Sequence, residues 1–361
     1  MIKFKFEDFK KIFCNKMIQL KRNKFWLKMN LKEKIKIYLD QIKNLKGVEN
    51  VVLTQRDGNP IQSSGVWLSK DEIFNVSSAA SAIYNVGIKL HPNDLKYILI
   101  EGNKAKILIA PLNTPVHDSL NKILEKQEIL DNMNEFFIGI TAQSNVNLGG
   151  VFLQTNNCLK SIKTTLLSSG QTFKPPLIEY DETKMQEILE RFKIKEDQEE
   201  NYNFSSFLFN ISEELSWELT KILSNFSLTV LDLKYALLSV EGGFTLSKIV
   251  KQKDLRGQKL DSISAMSYSL FHVANRCAWL LKKMKAENIL MDCTNSFQFI
   301  NSIREGIFCS EIGKNRQKLG LIRLYLPQFL KKITSVLKRA EEEQKPSSFD
   351  IKNLLGEMLI K

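Results

Sequence analysis

Few residues in this chain have a type and spacing suited to chemistry. The three histidines, His91, His117 and His272, stand alone: His91 and His117 read as loop residues and His272 as a helix-surface or interface residue, and none is given a metal or catalytic role. No metal and no cofactor is implied. The five cysteines, Cys14, Cys158, Cys277, Cys293 and Cys309, are odd in number and contain no CxxC pair. That speaks against a zinc ribbon or a thioredoxin-like site and for reduced thiols in a cytoplasmic protein. The phosphate-binding pattern GxxxxGK[ST] is absent, so the chain does not read as a GTPase itself. GxSxG, HExxH and kinase signatures are absent as well.

Single residues remain. Asp57 has the type of a general acid, but Asp57-Gly58 is a strong hairpin turn, and turn geometry explains it better. Glu241-Gly242-Gly243 invites a phosphate-loop reading, against which stands a plain tight turn. Arg56, at a hairpin tip, has the type of an arginine finger, which places a guanidinium on transition-state charge. Arg256, Arg276 and Arg316 qualify equally, so no catalytic residue is named. The basic run Lys248, Lys251, Lys253, Arg256 and Lys259 lacks the interleaved aromatics of a single-strand platform. It reads as a solvated loop before it reads as a contact for nucleic acid or an acidic partner.

The elements that must position these residues come in two rounds. In the first, Leu31, Ile35, Leu39 and Ile42 make the stripe of a helix over about 30–45, with Gly47 where a C-cap belongs. VENVVLTQRDGNPIQSSG reads as strand, turn, strand. A helix over 70–90 follows, with Ser69 as N-cap and Asp71 and Glu72 at its positive end. Strands over 95–101 and 106–112, a polar insertion with helical character over 117–134, a strand over 135–142 and a helix over 147–168 complete the round.

The second round repeats the order: a helix through Leu215–Phe226, strands over 233–240 and 244–250 around Glu241-Gly242-Gly243, a helix over 259–284, and strands over 287–293 and 296–302. Residues 303–317 read as an insertion, LGLIRLYL (319–326) as a fifth strand, and Pro327 as the N1 residue of a last helix. The fold class expected is α+β: two α-β-β-α-β-β-β-α domains, each a five-stranded antiparallel sheet with helices on both faces.

Other segments frame these rounds. Residues 1–29 place Phe6, Phe9, Phe13, Met17 and Leu20 on one helical face and lysines elsewhere. Such a basic amphipathic helix can lie on an anionic membrane or dock on the protein body, unless translation begins at Met17 or Met29. The division is an N-terminal helix (1–29), a first domain (30–172), an acidic linker (173–203), a second domain (204–341) and a C-terminal tail (342–361). The formal net charge is +12. No run is long and apolar enough to span a membrane.

In the first round, Gly47–Val52 leading into Arg56–Ile61, the small-residue helix Ser77–Ala82, Tyr97–Glu101, Lys106–Pro111 and Asn147-Leu148-Gly149 together resemble the roadblock family, of the dynein light chain roadblock type. The resemblance covers about residues 30–170. The second round lacks the leading Gly and carries bulky Tyr268, Phe271 and Trp279 in its middle helix, so it is a divergent, roadblock-like (profilin-like) unit. The resemblance implies an interaction module and not an enzyme. Family members pair through sheets and middle helices into dimers, and serve as dynein subunits, as scaffolds for Rag GTPases and as activators of bacterial polarity GTPases. It therefore implies a small Ras-like GTPase as partner, met by shape, with homo-oligomers or pairing of the two domains within one chain. An adaptor at a membrane or on the cytoskeleton is the rival reading. The middle helices are the expected partner surface, with Asn75, Ser78 and Asn85 facing outward from the first and Ser264, Tyr268, His272, Asn275 and Arg276 from the second. Small residues there equally permit domain–domain packing.

Overall fold

The computed structural model describes residues 29–65, 69–92, 94–112, 136–168, 212–252, 255, 258–282, 284–304, 306–316 and 318–344. The first round folds as α1 (Leu31–Lys43), β1 (Val48–Gln55), β2 (Pro60–Gly65), α2 (Lys70–Leu90), β3 (Leu95–Gly102), β4 (Ala105–Pro111), β5 (Phe136–Gln143) and α3 (Leu148–Ser168). The second is α4 (Glu213–Thr229), β6 (Leu233–Ser239), a single 3-10 turn (Glu241–Gly243), β7 (Thr245–Val250), α5 (Gln258–Lys282), β8 (Ala286–Cys293), β9 (Ser296–Ile303), β10 (Gly306–Gly313) and α6 (Leu319–Gln344). The N-terminal helix, the 117–134 insertion, the acidic linker and most of the tail lie outside the described residues.

Local signals account for most boundaries. Ser69 caps α2 in a capping box with Glu72, and Asn30 does the same for α1 with Glu33, so two orphan amides are satisfied at each start. α1 ends at Asn44 rather than at Gly47. Gly47 instead takes φ +89 at the entry to β1, a region where a Cβ is strained.

The ten described strands join one antiparallel sheet in the order β2-β1-β5-β4-β3-β8-β9-β10-β6-β7. Outward from the centre, the two halves run β3-β4-β5-β1-β2 and β8-β9-β10-β6-β7, the same topology twice. The halves meet through β3 and β8, where Ile98 pairs with Met291, Leu99 with Leu290 and Ile100 with Ile289. Leu99 faces Leu108 in its own hairpin and Leu290 faces Phe299 in the matching place, so the local two-fold passes through the Leu99–Leu290 pair. The edges that a lone half would leave open are thereby paired within one chain.

The sheet has a core on each face. One gathers α1, α3, α4 and α6 over Leu53, Ile138, Leu290 and Phe308, with Phe226 edge-on to Phe308 and Phe329. The other gathers α2 and α5 over Ile98, Ile100, Ile289 and Ile307. Each half thus has two helices on one face and one on the other, as expected. Polar contacts cross the junction: the Arg323 guanidinium of α6 binds Glu101 of β3 at 2.9 Å, and the Thr294 amide donates to the Asp94 carbonyl at 2.9 Å.

The end of the second half differs from the sequence expectation. The fifth strand is β10, at Gly306–Gly313, inside the stretch read as an insertion. LGLIRLYL is the first turns of α6, and Pro327 sits within that helix instead of opening it. The reason is periodicity over a longer window: buried Ile322, Leu326, Phe329, Ile333, Val336, Leu337 and Ala340 recur at helical spacing, while Leu321 and Leu324 are exposed.

Candidate functional site

The two middle helices, α2 and α5, lie side by side on one face of the sheet. Their approach depends on small residues. The Ala79 carbonyl lies 3.6 Å from the Cys277 thiol across the interface. Ala80 sits over Gly139, where an added Cβ would come within 3.3 Å. A Cβ on Gly87 would fall 2.5 Å from the Ile98 side chain, so α2 seats directly on β3.

Each half fastens its middle helix to its first hairpin in the same way. In the first half the Thr54 hydroxyl donates to Ser77 at 3.2 Å, both groups buried. Gly58, at φ +94, brings the hairpin tip against the α2 backbone near Ser78. Ser81 and Asn85 both donate to the Arg56 carbonyl, at 2.5 and 3.1 Å, and the Arg56 Nε–H returns a bond to Asn85 Oδ1 at 2.8 Å. In the second half the Ser239 and Ser264 hydroxyls meet at 2.5 Å, and Ser264 also bonds the Gly243 carbonyl at 2.7 Å. Gly243, at φ +79, is so near α5 that a Cβ would lie 2.7 Å from the Ala265 Cα.

Among the residues expected to face outward, Asn75 and Ser78 are half-buried along α2. Asn85 is half-buried and engaged with Arg56. Ser264 does not face outward: it is fully buried, because its hydroxyl has two partners beneath the helix. Tyr268 is half-buried, with its ring centroid 4.2 Å from that of exposed His272. Asn275 turns toward the next strand and accepts the Ala286 amide at 2.9 Å. Arg276 is exposed. The outward stripe of α5 is Ala265, Ser269, His272, Arg276 and Trp279, spaced four and three residues apart. Trp279, 53% exposed, was missing from the sequence list. Its place one turn beyond Arg276 was the available signal.

Burial leaves the described thiols poor nucleophiles. Burial pushes the Cys158 thiol up to about 12, Cys277 to about 12 despite neighbouring Arg276, and Cys309 to about 11. Partial burial lowers the pKa of His272. Asp57 serves its turn, accepting the Asn59 amide at 2.9 Å. Arg56 is bound to its own middle helix, Arg316 is exposed with its amide on Asp232, and Arg256 lies outside the described residues. Of the basic run, Lys248, Lys251 and Lys259 are exposed. Among the described residues, no helix is long and apolar enough to cross a membrane.

Residues 34–117 match the family model described as Roadblock/LC7 domain. The match begins in α1, contains β1 through β4, and runs past Pro111. Among solved structures, the chain is similar to a Roadblock/LC7 domain from Streptomyces avermitilis, with 13% identity over 37% of this chain and 97% of that one, at a TM-score of 0.29. It is similar to MglB of Myxococcus xanthus, with 14% identity over 36% and 95% of the two chains, at 0.33. It is also similar to the gliding protein MglB from Thermus thermophilus, with 14% identity over 37% and 95%, at 0.33. No curated protein matches the sequence.

Proposed function

We propose that this chain, which carries a Roadblock/LC7 domain at residues 34–117, is a non-enzymatic regulator or scaffold of a small Ras-like GTPase. The observation that carries the reading is the joint face of α2 and α5. One chain presents two middle helices side by side over a continuous sheet. Its exposed stripe holds Arg276 and Trp279, residue types that dominate binding energy where they become desolvated at an interface. The resemblance supplies the partner class, since roadblock proteins work with small GTPases. It also favours action by shape over a donated catalytic group, while the scattered, odd-numbered cysteines favour a cytoplasmic setting.

Pull-down and GTP-hydrolysis assays with small GTPases of the same genome, loaded with GDP or a GTP analogue, test this. At least one GTPase should be retained in at least one nucleotide state, and Arg276→Glu or Trp279→Ala should weaken retention at least tenfold, a loss of about 1.4 kcal/mol or more. Failure of every GTPase to bind in both states would remove the reading.

A second reading, an adaptor at a membrane or on the cytoskeleton, is favoured by the basic amphipathic sequence of residues 1–29. Co-sedimentation with anionic vesicles, comparing the full chain with a version starting at Met29, separates the two. Equal binding by both versions would remove the membrane role.

A further inference from the structure

At one end of the junction between the halves, three side chains of metal-binding type converge. A ring nitrogen of His91, a carboxylate oxygen of Asp94 and Sγ of Cys293 all lie within 4.8 Å of one another. His91 caps the C-terminal end of α2 and Asp94 precedes β3, both in the first half. Cys293 ends β8 in the second half, and its Cα pairs with that of Leu95. His91 and Asp94 are near neighbours in sequence, but nothing in the linear sequence joins Cys293 to them. The edge-to-edge pairing of β3 with β8 does.

We propose that His91, Asp94 and Cys293 form a divalent transition-metal site, suited to zinc, that clasps the two halves together. Sulfur, imidazole nitrogen and carboxylate oxygen are a borderline donor set that fits Zn2+ and not Mg2+ or Ca2+, which take oxygen alone.

The surroundings set the donors up. Gln298 is buried, and its side-chain amide nitrogen donates to Ser267 Oγ at 3.2 Å and Cys309 Sγ at 3.1 Å. Its oxygen therefore faces His91 Nε2, 2.5 Å away, and must accept. Nε2 then carries the proton and Nδ1 keeps a lone pair, the neutral form of the ring that a metal can take. An outer hydrogen bond fixing the tautomer in this way is the usual support of a metal-bound histidine. One Asp94 oxygen accepts the Thr294 amide at 3.0 Å, and the other remains for a metal. Cys293 is fully buried at the end of β8. The Lys314 ammonium is held by Asp292 and the Cys293 carbonyl.

On binding, the sulfur–metal bond forms as the thiol proton leaves to solvent. Thiolate, carboxylate and neutral imidazole then balance the two positive charges of the ion. A tetrahedral zinc holds such atoms roughly 3.3–3.6 Å apart, as follows from bond lengths of about 2.0–2.3 Å. Rotation of half-buried His91 and Asp94 closes the set, and water takes the fourth position.

The opposite end of the junction has no such cluster among the described residues. There Gly102 fills the place that corresponds to Cys293, and a Cβ on it would lie 2.5 Å from the Lys285 carbonyl. Backbone packing closes that end, so the pairing of the strands does not by itself call for ligating residues.

The test uses the full reduced chain, stripped with a chelator and then titrated with Zn2+ by calorimetry and with Co2+ by absorption. One equivalent should bind, Co2+ should give a thiolate charge-transfer band, and Zn2+ should raise the melting temperature. Cys293→Ser should abolish the band. His91→Gln and Asp94→Asn, at half-buried positions that preserve folding by circular dichroism, should each weaken binding at least about tenfold, the lower bound typical even of outer partners. Absence of stoichiometric binding by the wild-type chain would overturn the site, as would a Cys293→Ser chain that keeps the band, or ligand variants that bind as tightly as wild type. None of these readings involves a GTPase, so this proposal and the one above stand or fall separately.

Discussion

The two halves fasten the middle helix to the first hairpin at equivalent places, with unequal chemistry. In the first, one buried hydroxyl pair, Thr54–Ser77, is supplemented by an outer lattice of Ser81, Asn85 and Arg56. In the second, Ser264 alone bonds both Ser239 and the Gly243 carbonyl, and the hairpin glycine lies harder against the helix. One joint is spread over several buried and half-buried polar groups. The other is concentrated in a buried serine and a glycine. The fold therefore specifies a place for the contact and not the residues that make it, which is why the halves share a topology with little common sequence.

The largest test of that comparison asks whether the halves are one body. Leu99→Asp puts a carboxylate on the two-fold, where the side chain is 1% exposed. A loss of more than about 4 kcal/mol is expected in urea denaturation, with both halves affected in one transition. Unfolding in two separate steps would show that the halves are independent.

Next come the hairpin glycines. Both have positive φ, so alanine costs roughly 1–2 kcal/mol at either through backbone strain. Only at Gly243 does the new Cβ meet a helix backbone at 2.7 Å, and that overpacking adds about 1–3 kcal/mol. Gly243→Ala should therefore destabilise clearly more than Gly58→Ala, and equal losses would mean that the joints are equally tight.

The buried hydroxyls follow. Ser264→Ala removes two bonds and leaves Ser239 without its partner, an expected cost of about 1–3 kcal/mol. Ser77→Ala removes one longer bond, at about 1 kcal/mol. Thermal melts of the two variants rank them directly.

The smallest effect is the pH response of His272. Its folded pKa lies below the ordinary 6.5 because partial burial against its neighbours disfavours the charged ring. The unfolded chain therefore binds the proton more readily, and stability falls as pH drops through 6.5 toward the folded value. His272→Gln should flatten that decline slightly. The exposure of the ring keeps the effect small, and an unchanged melting-temperature profile between about pH 7 and 5 would assign no role to this residue.

Much of the first half was legible in the sequence. Alternation, the Asp57-Gly58 turn and the Ser69 cap each lie within a short window, and the elements appear where those signals place them. The second half was legible until β10. That strand carries Ser310 and Glu311 in its interior, both buried. Glu311 survives there because Lys234 at 2.6 Å and Ser296 at 2.8 Å hold its carboxylate. Those partners are distant in sequence, so the segment resembles a polar loop. Ser264 misled for the same reason: its polarity is satisfied beneath the helix by groups from another hairpin. Arg276 and His272 lie at the exposed side of α5, four residues apart on one helical stripe. The convergence of His91, Asp94 and Cys293 was invisible, since it exists only once β3 has found β8.

That pairing has a further consequence. Two separate copies of a subunit would pair at a rate set by their concentration, and every substitution would be installed on both sides of the axis at once. Here the partners are connected by the chain through residues 169–211, so their encounter is intramolecular and indifferent to dilution. Each side can also change alone. A tryptophan and an arginine on one middle helix, with a serine- and alanine-rich run on the other, give the paired face a left and a right. A ligand that recognises both helices then binds once, in one orientation, where a symmetric pair would offer it two.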